Sequence, residues 1–470
     1  MELNTKYISA VPQVIRFDND FDTDNRAYVP EVWAAESLMV LEENMVLSKL
    51  VHRDFENEIA SYGDVVNTRR PGEFEMKRKG ANDDITVQAA TADKVQVKLN
   101  QLLHTSFLLR DEEMSKSFKD LVPEFLAPAV RSIARGVDQI LAVQCYQFPA
   151  TTVGKLGTAL TKSTIVGANT AMNKNKVPVG PGVRNMILTP SAEGDLLNVA
   201  DFTKVNEADD AGEALRYANL GRKFGFDFYM DQNMPSIAAQ TAATTGAVNL
   251  SAGYAAGTTS MAIDGHSDTL LAGQWFTVAG DMTPQVIVTA TGTPTTVITF
   301  APGLRYAVAN NAVISVIDSG AVNLSAGYAA SYISTLAMDN FTAAPAVGQL
   351  ISLGSGASRN DYGAILTPTT TAIDLDRELA AAVANDAIIG KGPSGEYSMA
   401  LHRNAIALVT RPLVTAPPAA GAMQAVASYG GLSVRVSMAY DPYKQGMLIT
   451  VDMLAGVKLL DANLGCLIYS

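Results

Sequence analysis

An eleven-residue phrase occurs twice in this chain: GAVNLSAGYAA runs from Gly246 to Ala256 and again from Gly320 to Ala330. The likeness continues at nearly constant spacing. MAIDG from Met261 is answered by AMDN from Ala337, and AVANNAVI from Ala307 by AVANDAII from Ala382. A period of about 75 residues exceeds the roughly 20–50 of solenoids and propellers, so the repeat reads as two small domains in tandem. Differently composed sequence flanks the pair on both sides. The pair is therefore an insertion decorating a scaffold, and the scaffold must carry the main function.

Composition narrows what that scaffold can be. A length of 470 residues suggests about three domains, and 48% hydrophobic residues mark a globular chain. No stretch approaches the roughly 20 apolar residues of a membrane helix. The opening MELNTKYISAVPQVIRFDND lacks a charged leader before an apolar run, so no secretory signal is expected and synthesis should be cytosolic. Two cysteines, Cys145 and Cys466, exclude a disulfide scaffold. A net charge of -12 argues against a dedicated nucleic-acid reader, whose footprint is basic.

Along the chain, a polar, acidic start leads to a predicted helix over Pro30–Val51, with Val32, Ala35, Leu38, Met39, Glu42 and Met45 on one face. From Glu58 to Arg110 the pattern turns to β. A short strand at Asp64–Thr68, a turn at RRPGEF, the polar tip MKRKGANDD and alternation from Ile85 to Leu109 predict a projecting hairpin. A long helix is expected at Pro123–Phe148, striped by Leu126, Val130, Ile133, Val137, Ile140 and Leu141, with Pro128 delaying its regular part to about Ala127. Short helices are expected at Ser191–Val199, capped by Ser191, and at Gly212–Ala218, with strands at Asn185–Leu188 and Gly225–Met230. The insertion, about 240–391, holds four basic and ten acidic residues. Its first copy suggests strands at Trp275–Ala279, Val286–Thr291, Thr296–Phe300 and Ala312–Ile317, spaced as in a sandwich or small barrel. Strands at Ala405–Thr410, Ser433–Ala439, Gly446–Asp452 and Val457–Leu460 follow, and must pair with the scaffold across the insertion.

Signs of chemistry are sparse. His52, His104, His266 and His402 have no ligand at metal spacing. GKGPSG at Gly390–Gly395 has its lysine before the glycines and reads as a flexible exit linker. Cys145, within or at the end of an apolar-striped helix, reads as an inert buried thiol. Asp20, Asp22, Asp24 and Glu31 match positions of a calcium loop, but Asn25 replaces its glycine and no helix precedes it, so an exposed acidic arm is preferred. The basic cluster Arg69, Arg70, Lys77, Arg78 and Lys79 suits nucleic acid or an acidic neighbour. On an acidic chain, with no aromatic interleaved beyond Phe74, the neighbour is preferred.

The order of parts resembles a known family. A polar arm, PEVWAAESLMVLEENMVLSKLV, a hairpin around RRPG, a long helix, a region ending in FGFDFYMDQNMP, then TRPL and GGLSVRVSMAYDPYKQGMLITVDMLAGVKLLD look like a tailed-bacteriophage major capsid protein. The fold is the one named after phage Hong Kong 97, and podophage coat proteins with an inserted β domain are nearest. The resemblance covers roughly 1–240 and 395–470 and implies an α+β chain. Its parts would be an N-terminal arm and helix (1–55), the E-loop hairpin and peripheral-domain strands (56–122), and the spine helix with the axial domain (123–239). The inserted β modules (240–318 and 319–394) and the rest of the axial and peripheral domains (395–470) follow. Asp64–Gln88 would be the E-loop and Pro123–Phe148 the spine; strands Ala92–Arg110 and Gly446–Leu460 would build the peripheral sheet. Arg69, Arg70, Lys77, Arg78 and Lys79 would contact the next subunit, the two arginines from the hairpin base. The resemblance further implies a non-enzymatic shell protein without cofactor or metal, self-assembling into pentamers and hexamers of an icosahedral virion. It would enclose double-stranded DNA without sequence-specific contact, with scaffolding, portal and decoration proteins as further partners and no membrane. The alternatives are an encapsulin-like compartment shell and a surface adhesin, the latter lacking an export signal.

One local conflict is open to test. LDRELAAAVA (Leu375–Ala384) has strong helix propensity, whereas its counterpart FAPGLRYAVA (Phe300–Ala309) contains Pro302-Gly303. True duplicates must share one conformation, so both segments are expected to be non-helical, with each AVAN a turn before a final strand. Both modules are expected to project outward from the axial domain.

Overall fold

Helix α1 (Pro30–Asn44) and helix α2 (Ala127–Ala142) lie together on one face of a five-stranded sheet and fill the largest core of the protein. The protein's structure, a computed structural model, describes residues 30–53, 65–70, 76–79, 93–112, 125–148, 151–203, 217–240, 242–266, 268–323, 327–332, 335–339, 341–354, 359–415, 422–429 and 432–470. The acidic stretch Asp18–Asp24, most of the helix expected at Gly212–Ala218 and the Pro417–Gly421 loop lie outside these residues.

In α2 the predicted stripe holds throughout: Leu126, Val130, Ile133, Val137, Ile140 and Leu141 are all buried. Pro128 sits in the first turn, where its missing N–H costs nothing. In α1 the buried face differs from the expected one. Trp33, Ala34, Ser37, Leu38, Leu41 and Met45 face the core, while Met39 is 61% exposed and Ala35 is exposed. The large area of Trp33 sets the rotation, and Ser37 is tolerated inside because its Oγ donates to the Trp33 carbonyl at 2.6 Å. α1 also stops at Asn44, and a single 3₁₀ turn, Leu47–Lys49, replaces its expected last turns.

The five-stranded sheet joins distant sequence. Gly446–Leu459 is one 14-residue strand where two were expected. It pairs with β3 (Gln101–Arg110, following β1 at Val65–Arg70 and β2 at Asp93–Lys98) on one side, and with Leu432–Asp441 and then Ile406–Arg411 along the other. The apparent break in the sequence pattern includes Gly456, where an added Cβ would lie 2.4 Å from the Lys98 carbonyl oxygen. A close backbone crossing, not a turn, requires that glycine. Ala422–Tyr429, the fifth strand, has no counterpart among the strands read from sequence.

A second, seven-stranded sheet combines parallel and antiparallel pairs. It contains Arg184–Leu188 and Phe226–Met230, both expected, and Gly395–His402 and Gly465–Tyr469, both missed. Lys162–Lys174, a helix of poor propensity with Gly167, Asn169 and Thr170, packs on this sheet through Ile165, Ala168 and Met172. The helix at Pro190–Leu197 is capped by Thr189, not Ser191: Thr189 Oγ1 accepts from Ala192 N at 3.3 Å, and Pro190 takes the first helical position.

Both inserted modules are closed six-stranded barrels, spanning Thr244–Val316 and Ser319–Lys391. Leu375–Ala384 contains no helix. Leu379 N donates to the Tyr332 carbonyl and Ser331 N to that of Leu379, as Leu304 N and Gly257 N pair with Thr258 and Leu304 in the first copy. The repeated phrase itself has one structural job in each barrel. Tyr254 and Tyr328 bridge Val308 and Val383, and their hydroxyls accept from Ala262 N and Ala337 N, both at 2.7 Å. Gly253 and Gly327, at φ +67° and +65°, bring the backbone against the Val308 and Val383 carbonyls, where a side chain could not fit. GKGPSG is no flexible linker. Ile388–Lys391 completes the second barrel, Gly392 and Pro393 are buried, and Gly395 begins the next strand.

One carboxylate fastens α1 to α2. Asp138, fully buried on α2, accepts from Val46 N at 3.0 Å and from the Leu47 and Ser48 amides. Burial, and then the Asp231 charge, push its carboxyl up to about 7 against these N–H bonds. The folded value lies above the ordinary 3.8, so the native state holds this proton more tightly than the unfolded chain. The stability it contributes is complete below about pH 4 and is lost as pH rises to about 7. Asp231, also raised by burial, acts in the same direction. The urea midpoint should therefore fall as pH rises from about 5 to about 7 and then level off, and Asp138→Asn should flatten that slope. An unchanged slope in the variant refutes the assignment.

A second expectation follows from the repeated tyrosines. Tyr254→Phe and Tyr328→Phe each leave a backbone N–H without its acceptor and should each cost about 1–3 kcal/mol. Equilibrium unfolding of the two single variants checks this; equal losses are expected, because the two environments match.

Candidate functional site

β1 and β2 form a ribbon that pairs only with itself among the described residues. The register runs from Val65↔Lys98 at the body to Arg70↔Asp93 at the far end. β1 thus continues through both arginines, which were expected in the turn and at the base of the hairpin. They occupy the end of the described ladder that lies away from Val65↔Lys98. The returning strand also differs. Asp93–Lys98 belongs to the ribbon, and only Gln101–Arg110 enters the five-stranded sheet, the strand being interrupted at Leu99–Asn100. Met76 is 97% exposed, and Lys77, Arg78 and Lys79 beside it are exposed. Residues 71–75 and 80–92, which join Lys77, Arg78 and Lys79 to the ribbon, lie outside the described residues.

A two-stranded ribbon alone is marginal in water. Its base is held by Val97 and Leu99, which pack on Ala407 and Val409. The second barrel adds two contacts: Lys98 Nζ donates to Glu378 Oε1 at 2.6 Å, and Gln101 Nε2 to the Asp376 carbonyl at 3.0 Å.

Asp376 is the centre of a larger docking surface. Its buried carboxylate accepts from Gln144 Nε2 at 2.9 Å, Gly363 N at 2.8 Å and Arg377 Nη1 at 2.9 Å. Tyr146 donates its hydroxyl to the Gly348 carbonyl at 2.6 Å, and Gly363 lies so close to Val143 that a Cβ would come within 2.3 Å. The second barrel is thereby locked to the 3₁₀ turn Val143–Gln147 that ends α2. The first barrel docks on the seven-stranded sheet through Arg305 Nη1 to Thr152 Oγ1 at 2.6 Å and Leu156 N to the Met282 carbonyl at 3.3 Å. The barrels meet each other where Trp275 Nε1 donates to Ser352 Oγ at 2.9 Å and Arg359 stacks over the Trp275 ring. The seam between the barrels and the sheet forms a half-open cleft of about 350 Å³ lined by Trp275, Arg305, Arg359, Asp361, Tyr397 and Tyr469. Asp361, raised by burial, is gripped there by Arg359 at 2.9 Å.

Reactive groups are few among the described residues. No group of three or more His, Cys, Asp or Glu could hold a metal ion. Cys145 and Cys466 are free and buried, and burial pushes the Cys145 thiol well up and that of Cys466 to about 12, so neither is a ready nucleophile. His402 is pulled down by burial and by Arg184, and its Nδ1 accepts from Asn404 N. No described helix is long and apolar enough to cross a membrane.

No protein-family profile matches the chain, and no curated protein sequence does. Fifty-one chains of solved structures match. The chain is similar to solved phage structures, two of the following three being of capsids. One is from Mycobacterium phage Che8, with a TM-score of 0.45, 13% identity and 90% of each chain covered. A capsid structure of cyanophage P-SCSP1u has a TM-score of 0.41 at 10% identity, covering 87% of this chain and 84% of that one. The mature capsid of bacteriophage PhiM1 has a TM-score of 0.38 at 10% identity, covering 87% and 82%.

The residues that dock the second barrel were missed in the sequence, where Asp376, Arg377 and Glu378 looked like ordinary helix formers. The available signal was their divergence: they replace Ala301, Pro302 and Gly303 of the first copy. Gly363→Ala should overpack the contact with Val143 and cost about 1–3 kcal/mol. Faster hydrogen exchange at Val143–Gln147, with the barrel's own strands still protected, is the expected readout.

Proposed function

We propose that the chain is the major capsid protein of a tailed bacteriophage, a structural subunit that assembles into an icosahedral shell around double-stranded DNA. The self-paired ribbon carries this reading: it pairs with no other described strand and bears Arg69 and Arg70 at the far end of its ladder, and such a ribbon gains order from a neighbouring copy. The order of parts that resembles the capsid family supports it, because the hairpin, the long helix and the last four strands of the five-stranded sheet occur in that sequence order. In this reading β1–β2 is the E-loop, α2 the spine helix, the five-stranded sheet the peripheral domain and the seven-stranded sheet the axial domain. Arg69, Arg70, Lys77, Arg78 and Lys79 reach an acidic surface of the next subunit in a pentamer or hexamer. The net charge of -12 keeps packaged DNA from adhering to the wall. The barrels project outward, and scaffolding, portal and decoration proteins complete the virion.

Arg69→Glu with Arg70→Glu should block or weaken assembly while leaving the subunit folded, because each reversed contact costs on the order of a few kcal/mol and recurs in every subunit. Light scattering and negative-stain microscopy read the outcome. Normal particle yield from the double variant at unchanged stability overturns the assigned contact. A wild-type chain that forms only 49.7 kDa monomers overturns the shell itself.

A further inference from the structure

Two bonds from neighbouring residues of the second barrel straddle the point where the ribbon leaves the body. The break between β2 and β3 is Leu99–Asn100. On the ribbon side, Lys98 Nζ donates to Glu378 Oε1; on the sheet side, Gln101 Nε2 donates to the Asp376 carbonyl. Asp376 is itself fixed to the end of α2 through Gln144. The segment bearing both contacts departs from its duplicate: Ala301-Pro302-Gly303 in the first barrel offers no side chain that could make the carboxylate bonds.

We propose that the second barrel sets the launch angle of the β1–β2 ribbon, with Glu378 and Asp376 as positioning residues, and that this is what the second copy diverged to do. A hinge needs only a few residues to absorb a change of direction, and Leu99–Asn100 is such a pair. Three things limit it. Leu99 is anchored in the small core with Ala407 and Val409, Gly456 presses on the Lys98 carbonyl, and the clamp fixes the remaining rotation. An exposed ion pair is worth little as stability: the two side chains are 45% and 27% exposed. As a stop on a lever it acts differently, because a small rotation at Lys98 is amplified along the ribbon to Arg70 and beyond. In the capsid reading, on which the consequence for assembly rests, that angle sets where the basic end meets the next copy and so the curvature of the shell.

The test separates the clamp from the shell. Spin labels at Gln96→Cys on β2 and Asp386→Cys on the second barrel report their distance distribution in the unassembled full-length chain, and the buried native cysteines stay unlabelled. A narrow distribution is expected for the otherwise unaltered chain and a broadened or shifted one for Glu378→Lys. The narrow one should return when Lys98→Glu is added to Glu378→Lys. Thermal melting should be the same for all three, which a merely structural role would not predict together with charge-swap rescue. Identical distributions in all three, or no recovery in the charge-swapped chain, overturn the clamp. Particle formation by the same chains is then scored separately: shells from Glu378→Lys should be fewer or misshapen and should recover with the swap. Failure of the wild-type chain to form any particle counts against the capsid reading and leaves the distance result standing.

Discussion

A sheet can carry two extra barrels in mid-chain only if the ends of the insertion meet, and here they meet as hydrogen-bonded neighbours. Ser236–Ile237 pairs with Gly395–Glu396, so the chain leaves the seven-stranded sheet and returns to it at one place. The rest of the organisation depends on that closure. It lets the strands before residue 240 and after residue 394 form common sheets and a shared core. It also makes the barrels an addition whose loop-closure cost is small compared with their own burial. The barrels are nonetheless no pendants: Trp275, Val286 and Ile317 of the first, and Leu350 and Ile365 of the second, belong to the same apolar cluster as α1 and α2.

Much of this was legible in the sequence where the signal was periodic. The stripe of α2, most strands of the first barrel and the shared non-helical fold of both copies followed from spacing and from the logic of duplication. What failed did so for identifiable reasons. The face of α1 differs because five apolar positions and Glu42 share the expected stripe, whereas the large ring of Trp33 lies off it and turns the helix. The 14-residue strand was split because Gly456 looks like a break when its real reason is the crossing backbone of Lys98, far away in sequence. The GKGPSG segment looked mobile because glycine and proline are read as loop formers, and its burial against Leu350 is invisible locally.

The basic cluster shows the limit for the candidate site. Its charge pattern was readable, but the position of Arg69 and Arg70 along the ribbon was not, because the register depends on which strand returns beside β1. Asp138 and Asp376 illustrate the same limit for acidic residues. Neither was singled out in the sequence, and both are buried acceptors that tie separate elements together. A carboxylate among apolar neighbours persists only where amide donors meet it, and those donors come from parts of the chain that no local window contains.

The repeated phrase has a kinetic consequence. It supplies most of the first strand of each barrel, TTGAV and SGAV, so during folding two near-identical strands compete for two similar vacancies, both within one chain and between neighbouring chains. The strand itself cannot tell which barrel it belongs to, and exchange of identical elements is a common route to swapped dimers. Discrimination must come from what surrounds it. Gly320 lies under the Phe341 ring, where a Cβ would come within 2.3 Å, whereas Gly246 faces the Asp264 carbonyl and His266. The residues that differ between the copies are therefore proofreaders of pairing, and erasing those differences would make a more symmetrical protein that folds less faithfully.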